Sequence, residues 1–242
     1  MYLPAIGPQL RVARAAAYTL ACSQRAMFAT AFGAPDEKVR GHAKAWAAGF
    51  EERFGTVVRA EGLERVDWSK PCIVMANHQS YLDVFALFRS MPNAFGFVAK
   101  KALFKVPAFG GVMRAVGCVP VDRGNRGDAV SSMKTAAAEV KGGATICVFP
   151  EGTRSPGDRV QRLKKGPFYL AQLAGVPIVP VGIRGTSDCM PRTNARLDAG
   201  EIRVRFGDPI APIAAEGTGP RNALQAKVRA EIGRLAELPL VD

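Results

Sequence analysis

The chain has 242 residues, 48% of them hydrophobic, and a formal net charge of +12 at pH 7. This length and apolar content exclude a disordered chain and fit one sizeable domain, or at most two small ones. The positive charge indicates an anionic partner, such as an acidic membrane surface or a phosphorylated substrate. Aromatic residues make up only 8%, and no nucleic-acid-binding motif accompanies the charge, so the sequence argues against a nucleic acid.

The first fifty residues are predicted to be largely helical, as two helices broken near residues 32–35. Segment 10–34 holds three Arg residues, no acidic residue and several Leu, Ala, Met and Phe residues. That composition suits a helix lying in the interface of an anionic membrane, and an ordinary helix packed on the domain fits it equally well. The uncharged runs are too short for a membrane-spanning helix and too polar for a secretory signal. We therefore predict a helical, membrane-interfacial segment at 1–50 and a main domain at 51–242.

From residue 55 onward, short apolar runs alternate with helical segments. Strands are predicted at 56–59, 73–76, 96–99, 117–121, 144–149, 176–183 and 202–206, and helices at 81–90, 108–115, 128–141, 166–174 and 220–237. This alternation predicts a single α/β domain with a mixed, largely parallel central sheet flanked by helices. The five cysteines are scattered without paired or metal-ligand spacing, which indicates neither a disulfide framework nor a metal site and suits a reducing compartment.

Segment 77–83 reads Asn-His-Gln-Ser-Tyr-Leu-Asp and follows the predicted strand 73–76. A strand that ends in Asn-His brings the imidazole of His78 to the edge of a sheet, where Ser80 can cap the next helix. Asp83, one turn into that helix, can fold back to hydrogen-bond His78, as an orienting carboxylate does when histidine removes a proton from a hydroxyl. On this spacing alone, a purely structural histidine is the commoner case. The second histidine, His42, has no such neighbours.

Basic residues also follow three other predicted strands. Segment 149–155 reads Phe-Pro-Glu-Gly-Thr-Arg-Ser, segment 121–123 ends in Arg123, and Lys100 opens a basic and apolar stretch. Arginine matches phosphate oxygens bidentately, and ligands of open α/β sheets bind beyond the carboxyl ends of the strands. Taken singly, each segment is also explained by a solvated turn or by ordinary surface charge. Together they predict a crevice that holds His78, a phosphate and the basic residues Lys100, Arg123 and Arg154.

Four segments resemble, in order, the sequence blocks of the glycerolipid acyltransferases, and most closely of those that acylate 1-acylglycerol-3-phosphate. They are 77–83 with its His-x4-Asp motif, 121–123, 149–155 and 176–181, within a similarity that extends from about residue 54 to 186. The resemblance implies transfer of an acyl group from acyl-CoA or acyl carrier protein to the free sn-2 hydroxyl of the lysophospholipid, giving phosphatidic acid. It implies no cofactor and no metal.

The same resemblance implies roles for individual residues. His78 is then the general base, oriented by Asp83, and the acceptor alkoxide attacks the thioester directly. In agreement, the sequence lacks a Gly-x-Ser-x-Gly nucleophile motif. The oxyanion needs donors, for which backbone N–H groups near His78 are the natural candidates. The resemblance assigns five residues to acceptor binding, namely Glu151, Gly152, Thr153, Arg154 and Arg123. Lys100 joins them because of its position.

Several alternatives stay open. The same chemistry could act on glycerol 3-phosphate, another lysophospholipid or a lyso-aminolipid, the pair could activate water in a thioester hydrolase, or the basic face could serve a lipid-binding module without chemistry. The N-terminal segment is less hydrophobic than in many of these enzymes. We therefore expect peripheral attachment to an anionic membrane surface at the cytoplasmic face.

Overall fold

The computed structural model describes residues 7–34, 36–107, 109–122, 124–156, 159–194, 196–212 and 218–241. Arg123 lies outside these residues. The helices are α1 (Pro8–Ala31), α2 (Asp36–Phe54), α3 (Leu82–Ser90), α4 (Phe109–Ala115), α5 (Arg126–Lys141), α6 (Lys165–Ala174), α7 (Thr186–Cys189) and α8 (Thr218–Ala236). The strands are β1 (Thr56–Glu61), β2 (Ile73–Ala76), β3 (Gly96–Lys100), β4 (Val119–Val121), β5 (Ile146–Val148), β6 (Ile178–Arg184) and β7 (Gly200–Phe206). Short 3₁₀ turns cover Leu63–Arg65 and Lys101–Lys105.

The strands form one sheet in the order β1-β7-β6-β2-β5-β3-β4. Strands β6, β2, β5, β3 and β4 run parallel, β7 is antiparallel to β6, and β1 is parallel to β7. The predicted α/β domain with a mixed, largely parallel sheet is confirmed. In register, Val74 of β2 lies between Cys147 of β5 and Val179 of β6. The residues that follow these three strands therefore meet at one edge of the sheet.

Hydrophobic side chains cover both faces of the sheet. One cluster includes Phe50, Phe85 and Phe206, and the other, beneath α5, α6 and α8, includes Phe168 and Ile232. Because both faces of the sheet are covered, β2, β5 and most of β6 carry apolar residues without alternation. The last helix, α8, contributes buried apolar side chains to the core, namely those of Leu224, Val228, Ile232 and Leu235.

The predicted elements are confirmed in type, and their ends differ by a few residues. The strand predicted from residue 117 begins at Val119, because Gly117 has a φ of +81° and forms a turn after α4. The strand predicted from residue 176 begins at Ile178, directly after Pro177. Glycine and proline at these positions end the preceding helix or turn, so the apolar run is longer than the strand that it contains.

Helices α1 and α2 form a hairpin that packs on the body of the domain. Trp46 of α2 donates from Nε1 to the Thr19 hydroxyl (3.1 Å), and its ring contacts Phe85 edge-on at 6.2 Å between centroids. Phe50 and Phe54 lie in the same apolar cluster as the sheet, so this cluster continues across the predicted boundary at residue 50. That division of the chain stays a prediction.

The outer surface of α1 carries exposed apolar side chains. Leu10, Leu20 and Phe28 expose 57%, 48% and 58% of their surface, while Ala15 and Ala26 on the inner face are buried. Helix α1 is therefore packed on the domain through one face, and its attachment to a membrane interface stays a prediction. Among the described residues, no helix has both the length and the apolar character needed to cross a membrane.

Candidate active site

His78 and Asp83 form a hydrogen-bonded pair at the carboxyl end of β2. The distance from His78 Nδ1 to Asp83 Oδ2 is 2.7 Å. Asp83, in the first turn of α3, is completely buried, whereas the His78 side chain keeps 15% of its surface exposed. Because a carboxylate accepts, the proton sits on Nδ1, and Nε2 is left as the basic nitrogen. The predicted contact is therefore present in the structure.

Asp83 is held by three further donors. Its Oδ2 atom accepts hydrogen bonds from the backbone N–H groups of Gln79 (2.7 Å) and Ser80 (2.9 Å). Its Oδ1 atom accepts one from the hydroxyl of Thr186 (2.6 Å), a buried residue at the start of α7. Four donors compensate the buried negative charge and fix the carboxylate that orients His78. The sequence analysis missed Thr186, whose one signal is its place just after β6, the neighbour of β2.

The backbone around His78 is tied to both neighbouring strands. The side chain of Asn77 makes two hydrogen bonds to the main chain of Ile183 in β6, donating to its carbonyl (2.8 Å) and accepting from its N–H (2.7 Å). The Ser80 hydroxyl donates to the Met190 carbonyl (2.7 Å) and accepts from the N–H of Leu82 (3.2 Å), the first residue of α3. Ser80 thus takes the helix-start role expected for it and also anchors the loop that follows α7.

Glu151 braces His78 from the β5 side. This residue is 1% exposed, and its two carboxylate oxygens accept from the backbone N–H groups of His78 (2.6 Å) and Gln161 (2.9 Å). The His78 carbonyl in turn accepts from the N–H of Ser155 (2.6 Å). Burial raises the pKa of the Glu151 carboxyl above its ordinary value, and the two backbone hydrogen bonds offset part of that rise. One carboxylate oxygen thus supports the backbone of the His78 loop, and the other holds the backbone at Gln161.

These contacts use three of the backbone N–H groups near His78, where donors to the oxyanion are expected. The N–H of His78 is used by Glu151, and those of Gln79 and Ser80 are used by Asp83. These three N–H groups are therefore already hydrogen-bonded, and the donors to the oxyanion stay a prediction. The physical reason is that a buried carboxylate needs donors in the resting state, and the loop supplies its own.

The imidazole of His78 lies against an aromatic ring. The His78 and Phe149 rings are stacked, 4.0 Å apart at 13°, and Phe149 continues the stack to Phe97 at 5.7 Å and 17°. A ring face below and a carboxylate at Nδ1 leave the imidazole one orientation. From the sequence, Phe149 is only the first residue of segment 149–155 and carries no predicted role. Its contact with His78 follows from the pairing of β5 with β2.

Arg154 lies beside this loop, on the turn after β5. Its Cζ atom is 3.9 Å from the centroid of the Tyr81 ring, and its carbonyl accepts a hydrogen bond from Arg192 Nη1 (2.8 Å). The turn depends on Gly152, whose φ of +75° is in the left-handed region and whose absent Cβ would lie 3.2 Å from Lys164 Cγ. Thr153 is exposed on the same turn.

The structure brings His78, Asp83, Glu151 and Arg154 together and places Lys100 at the same edge of the sheet. Lys100 is the exposed last residue of β3, the neighbour of β5. Its contact with a ligand stays a prediction, as does that of Arg123. Within the described residues, no three side chains of His, Cys, Asp or Glu gather into a group that could hold a metal ion.

Comparisons with known proteins point to one family. A family model described as Acyltransferase matches residues 57–184. A chloroplastic 1-acyl-sn-glycerol-3-phosphate acyltransferase of Brassica napus is 38% identical over 152 residues, covering 62% of this chain and 44% of that protein. The human 1-acyl-sn-glycerol-3-phosphate acyltransferase alpha is 32% identical over 179 residues, covering 73% of this chain and 62% of that protein.

A solved structure extends the similarity over nearly the whole fold. The crystal structure of PlsC, the 1-acyl-sn-glycerophosphate acyltransferase of Thermotoga maritima, superposes with a TM-score of 0.79 at 26% identity. The superposition covers 95% of this chain and 93% of the Thermotoga chain. The chain spans about half the length of several curated relatives that it matches.

Proposed function

We propose, from the premise that this chain belongs to the acyltransferase family, that it transfers a fatty acyl group from a thioester to the free sn-2 hydroxyl of 1-acylglycerol-3-phosphate, forming phosphatidic acid. The observation that carries the proposal is the 2.7 Å contact between His78 and the completely buried Asp83. The acceptor is supported by the names of the plant, human and Thermotoga proteins to which the chain is similar.

In the proposed reaction, Nε2 of His78 removes the proton from the acceptor hydroxyl as the oxygen attacks the thioester carbonyl. The tetrahedral intermediate collapses, the C–S bond breaks, and the leaving thiolate takes the proton back from His78. Asp83 stabilises the imidazolium that forms in between, because its negative charge lies 2.7 Å from Nδ1. The enzyme returns to its starting state without an acyl-enzyme.

The acceptor phosphate is assigned to the basic residues at the same edge of the sheet. Arg154 is the main contact, because its turn is joined to the His78 loop through the hydrogen bond from the Ser155 N–H to the His78 carbonyl. A guanidinium presents paired N–H donors to phosphate oxygens. Further proposed contacts are Lys100, Arg123, the backbone of Gly152 and Thr153, and the hydroxyl of Thr153. Glu151 is proposed to act by holding the His78 backbone.

The thioester donor, acyl-CoA or acyl carrier protein, and the lipid acceptor meet at a membrane in this proposal. The outer face of α1 is suited to lie in an anionic interface, because exposed Leu10, Leu20 and Phe28 are accompanied by exposed Arg14 and Arg25. The protein then attaches peripherally at the cytoplasmic face. Its net charge of +12 favours the same surface.

The membrane proposal is tested by sedimentation with vesicles of neutral phospholipid, with and without anionic phospholipid. We expect binding that needs the anionic lipid and falls with salt. Phe28→Asp should weaken it several-fold, because a charge then replaces an apolar ring that the membrane interface would bury. The matched control is Val130→Asp, which places the same charge at a residue 38% exposed on α5. Equal weakening by both variants would contradict a specific role for α1.

The reaction is tested by an acceptor panel with the purified full chain and acyl-CoA, the lipid product being identified by mass. The acceptors are 1-acylglycerol-3-phosphate, glycerol 3-phosphate, lysophosphatidylcholine, a lyso-aminolipid and water alone, and acyl carrier protein serves as the second donor. We expect phosphatidic acid as the main product. Faster acylation of another acceptor would replace the proposed substrate, and thioester loss without acceptor would indicate a hydrolase.

A further inference from the structure

Tyr81 is an exposed aromatic residue in the middle of the His78 loop, with no role so far. Its surface is 60% exposed, so core packing does not explain it. The described contact on its ring is the guanidinium of Arg154, with Cζ 3.9 Å from the centroid. We propose that Tyr81 is a positioning residue that holds the Arg154 guanidinium where it binds the acceptor phosphate. This inference rests on the proposed function.

The stacking geometry leaves the guanidinium able to bind an anion. The Arg154 Cζ atom lies over the face of the Tyr81 ring, 3.9 Å from its centroid, a distance that allows the guanidinium to stack on the ring. The N–H donors of arginine point outward in the plane of the group, so a ring on its face occupies none of them. The aromatic contact therefore fixes the orientation and leaves the in-plane donors for phosphate oxygens.

Among the described residues, the charge of Arg154 has no carboxylate partner, in contrast to Arg205 and Arg234. Arg205 is paired with Glu61 and Glu237, and Arg234 is paired with Glu231. In the part of the chain that the structure describes, Arg154 forms no ion pair with a carboxylate. A neutral ring holds the guanidinium without neutralising it, which suits a group that must meet a dianionic phosphomonoester.

The main chain of Arg154 is fixed independently of the ring. Arg192 donates to the Arg154 carbonyl (2.8 Å), and the next N–H, that of Ser155, donates to the His78 carbonyl (2.6 Å). Arg192 itself belongs to the loop that the Ser80 hydroxyl anchors at Met190. With the backbone held in this way, the remaining freedom of Arg154 lies in its side-chain torsions, and these are what the Tyr81 ring restricts.

The acceptor explains why this ring belongs on the His78 loop. In 1-acylglycerol-3-phosphate the reacting hydroxyl and the phosphate are on adjacent carbons, so base and phosphate ligand must keep a fixed separation. Tyr81 is three residues after His78, in a loop held by Asn77 and Asp83. Through Tyr81, the loop that positions the base also positions the phosphate ligand. Acceptors whose phosphate lies elsewhere, or is esterified further, would fit this spacing less well.

The test is a double-mutant cycle in the full chain, with saturating acyl-CoA and varied 1-acylglycerol-3-phosphate. Tyr81→Leu is expected to raise the KM for the acceptor about two- to fivefold, the size of an exposed cation–π contact, while kcat changes less and the KM for acyl-CoA stays unchanged. Tyr81→Phe, which keeps the ring, is expected to behave as wild type. In an Arg154→Ala background, Tyr81→Leu is expected to have no further effect. Inhibition by inorganic phosphate should weaken in parallel with the KM.

The outcomes separate this inference from the proposed function. If Arg154→Ala raises the KM and Tyr81→Leu does not, the positioning role is overturned and the phosphate site stands. A full effect of Tyr81→Leu in the Arg154→Ala background would also overturn it, because Tyr81 would then act without Arg154. An unchanged KM in Arg154→Ala overturns the phosphate assignment and this inference with it. Unchanged melting temperatures of the variants exclude misfolding, which the exposure of Tyr81 makes a small concern.

Discussion

The molecule has two polar regions on its sheet, and they are built in opposite ways. At the carboxyl ends of β2, β5 and β6, the buried side chains of Asp83, Glu151 and Thr186 form hydrogen bonds around His78, some to the backbone and some to one another. On the exposed side of β1 and β7, Arg59 pairs with Glu201 and Arg205 with Glu61, all at the surface except for the partly buried Arg205. Solvent screens the second network, so its individual pairs contribute little to stability.

Two carboxylates show the difference most clearly. Burial raises the pKa of Glu151, whose partners are the uncharged N–H groups of Gln161 and His78. Hydrogen bonds from Arg59 and Arg203 lower the pKa of the exposed Glu201. The same kind of side chain is thus less easily ionised in the crevice and more easily ionised on the outer face. Charge alone does not locate a site, whereas buried polar groups held by the main chain do.

The largest expected effect separates the two regions by activity. His78→Ala removes the proposed base and should lower kcat about 10²- to 10⁴-fold. The chain is expected to fold, because Asp83 keeps its hydrogen bonds from Gln79, Ser80 and Thr186. Arg59→Ala, the matched change on the outer face, should leave kcat and KM at wild-type values and lower the melting temperature by less than about 2 °C. Steady-state kinetics and thermal unfolding measure both. Residual transfer in His78→Ala close to wild type would contradict the assignment of the base.

A smaller effect separates the two regions by the pH dependence of stability. The pKa of Glu151 is raised in the folded state, so its contribution to the free energy of unfolding is present below its ordinary pKa of 4.5 and is lost as the pH rises through the folded pKa. The pKa of Glu201 is lowered, so its contribution is present above 4.5 and is lost as the pH falls through the folded pKa.

Urea unfolding of wild type, Glu151→Gln and Glu201→Gln across this pH range measures the two slopes. The difference between wild type and Glu151→Gln should decrease as the pH rises, and that between wild type and Glu201→Gln should increase. The glutamine variants do not titrate at these positions, so any constant cost of the substitution leaves the slopes intact. Salt should flatten the slope for Glu201 more than that for Glu151. If the stability differences for Glu151→Gln and Glu201→Gln changed with pH in the same direction, the contrast between the buried and the exposed carboxylate would be contradicted.

The local part of the site could be predicted from sequence. His78 and Asp83 are five residues apart, and a strand followed by a helix is enough to bring them together. The alternation of apolar runs likewise predicted the order of strands and helices. Sequence segments 77–83 and 149–155 were expected in one crevice, and the parallel pairing of β2 with β5 brings Glu151 to His78.

The contacts that cross the sheet could not be predicted in this way. Thr186, Phe149 and Tyr81 act on partners distant in sequence, and nothing in their own neighbourhoods distinguishes them from core or surface residues. Which strands are neighbours decides these contacts, and an alternating α/β pattern is compatible with several strand orders. Glu151 illustrates the point: the sequence did not predict its hydrogen bonds to the backbone of His78 and Gln161, and its contact with the acceptor stays a prediction.

The hydrogen bond from Thr186 to Asp83 spans 103 positions of the chain. The pair that looks like a short local motif is therefore complete only after β6 has docked against β2, a closure with a considerable entropy cost. A growing polypeptide that has just emerged with residues 77–83 lacks the Thr186 hydroxyl that completes the support of Asp83. The proposed active site should thus be completed late in folding, together with the second half of the sheet.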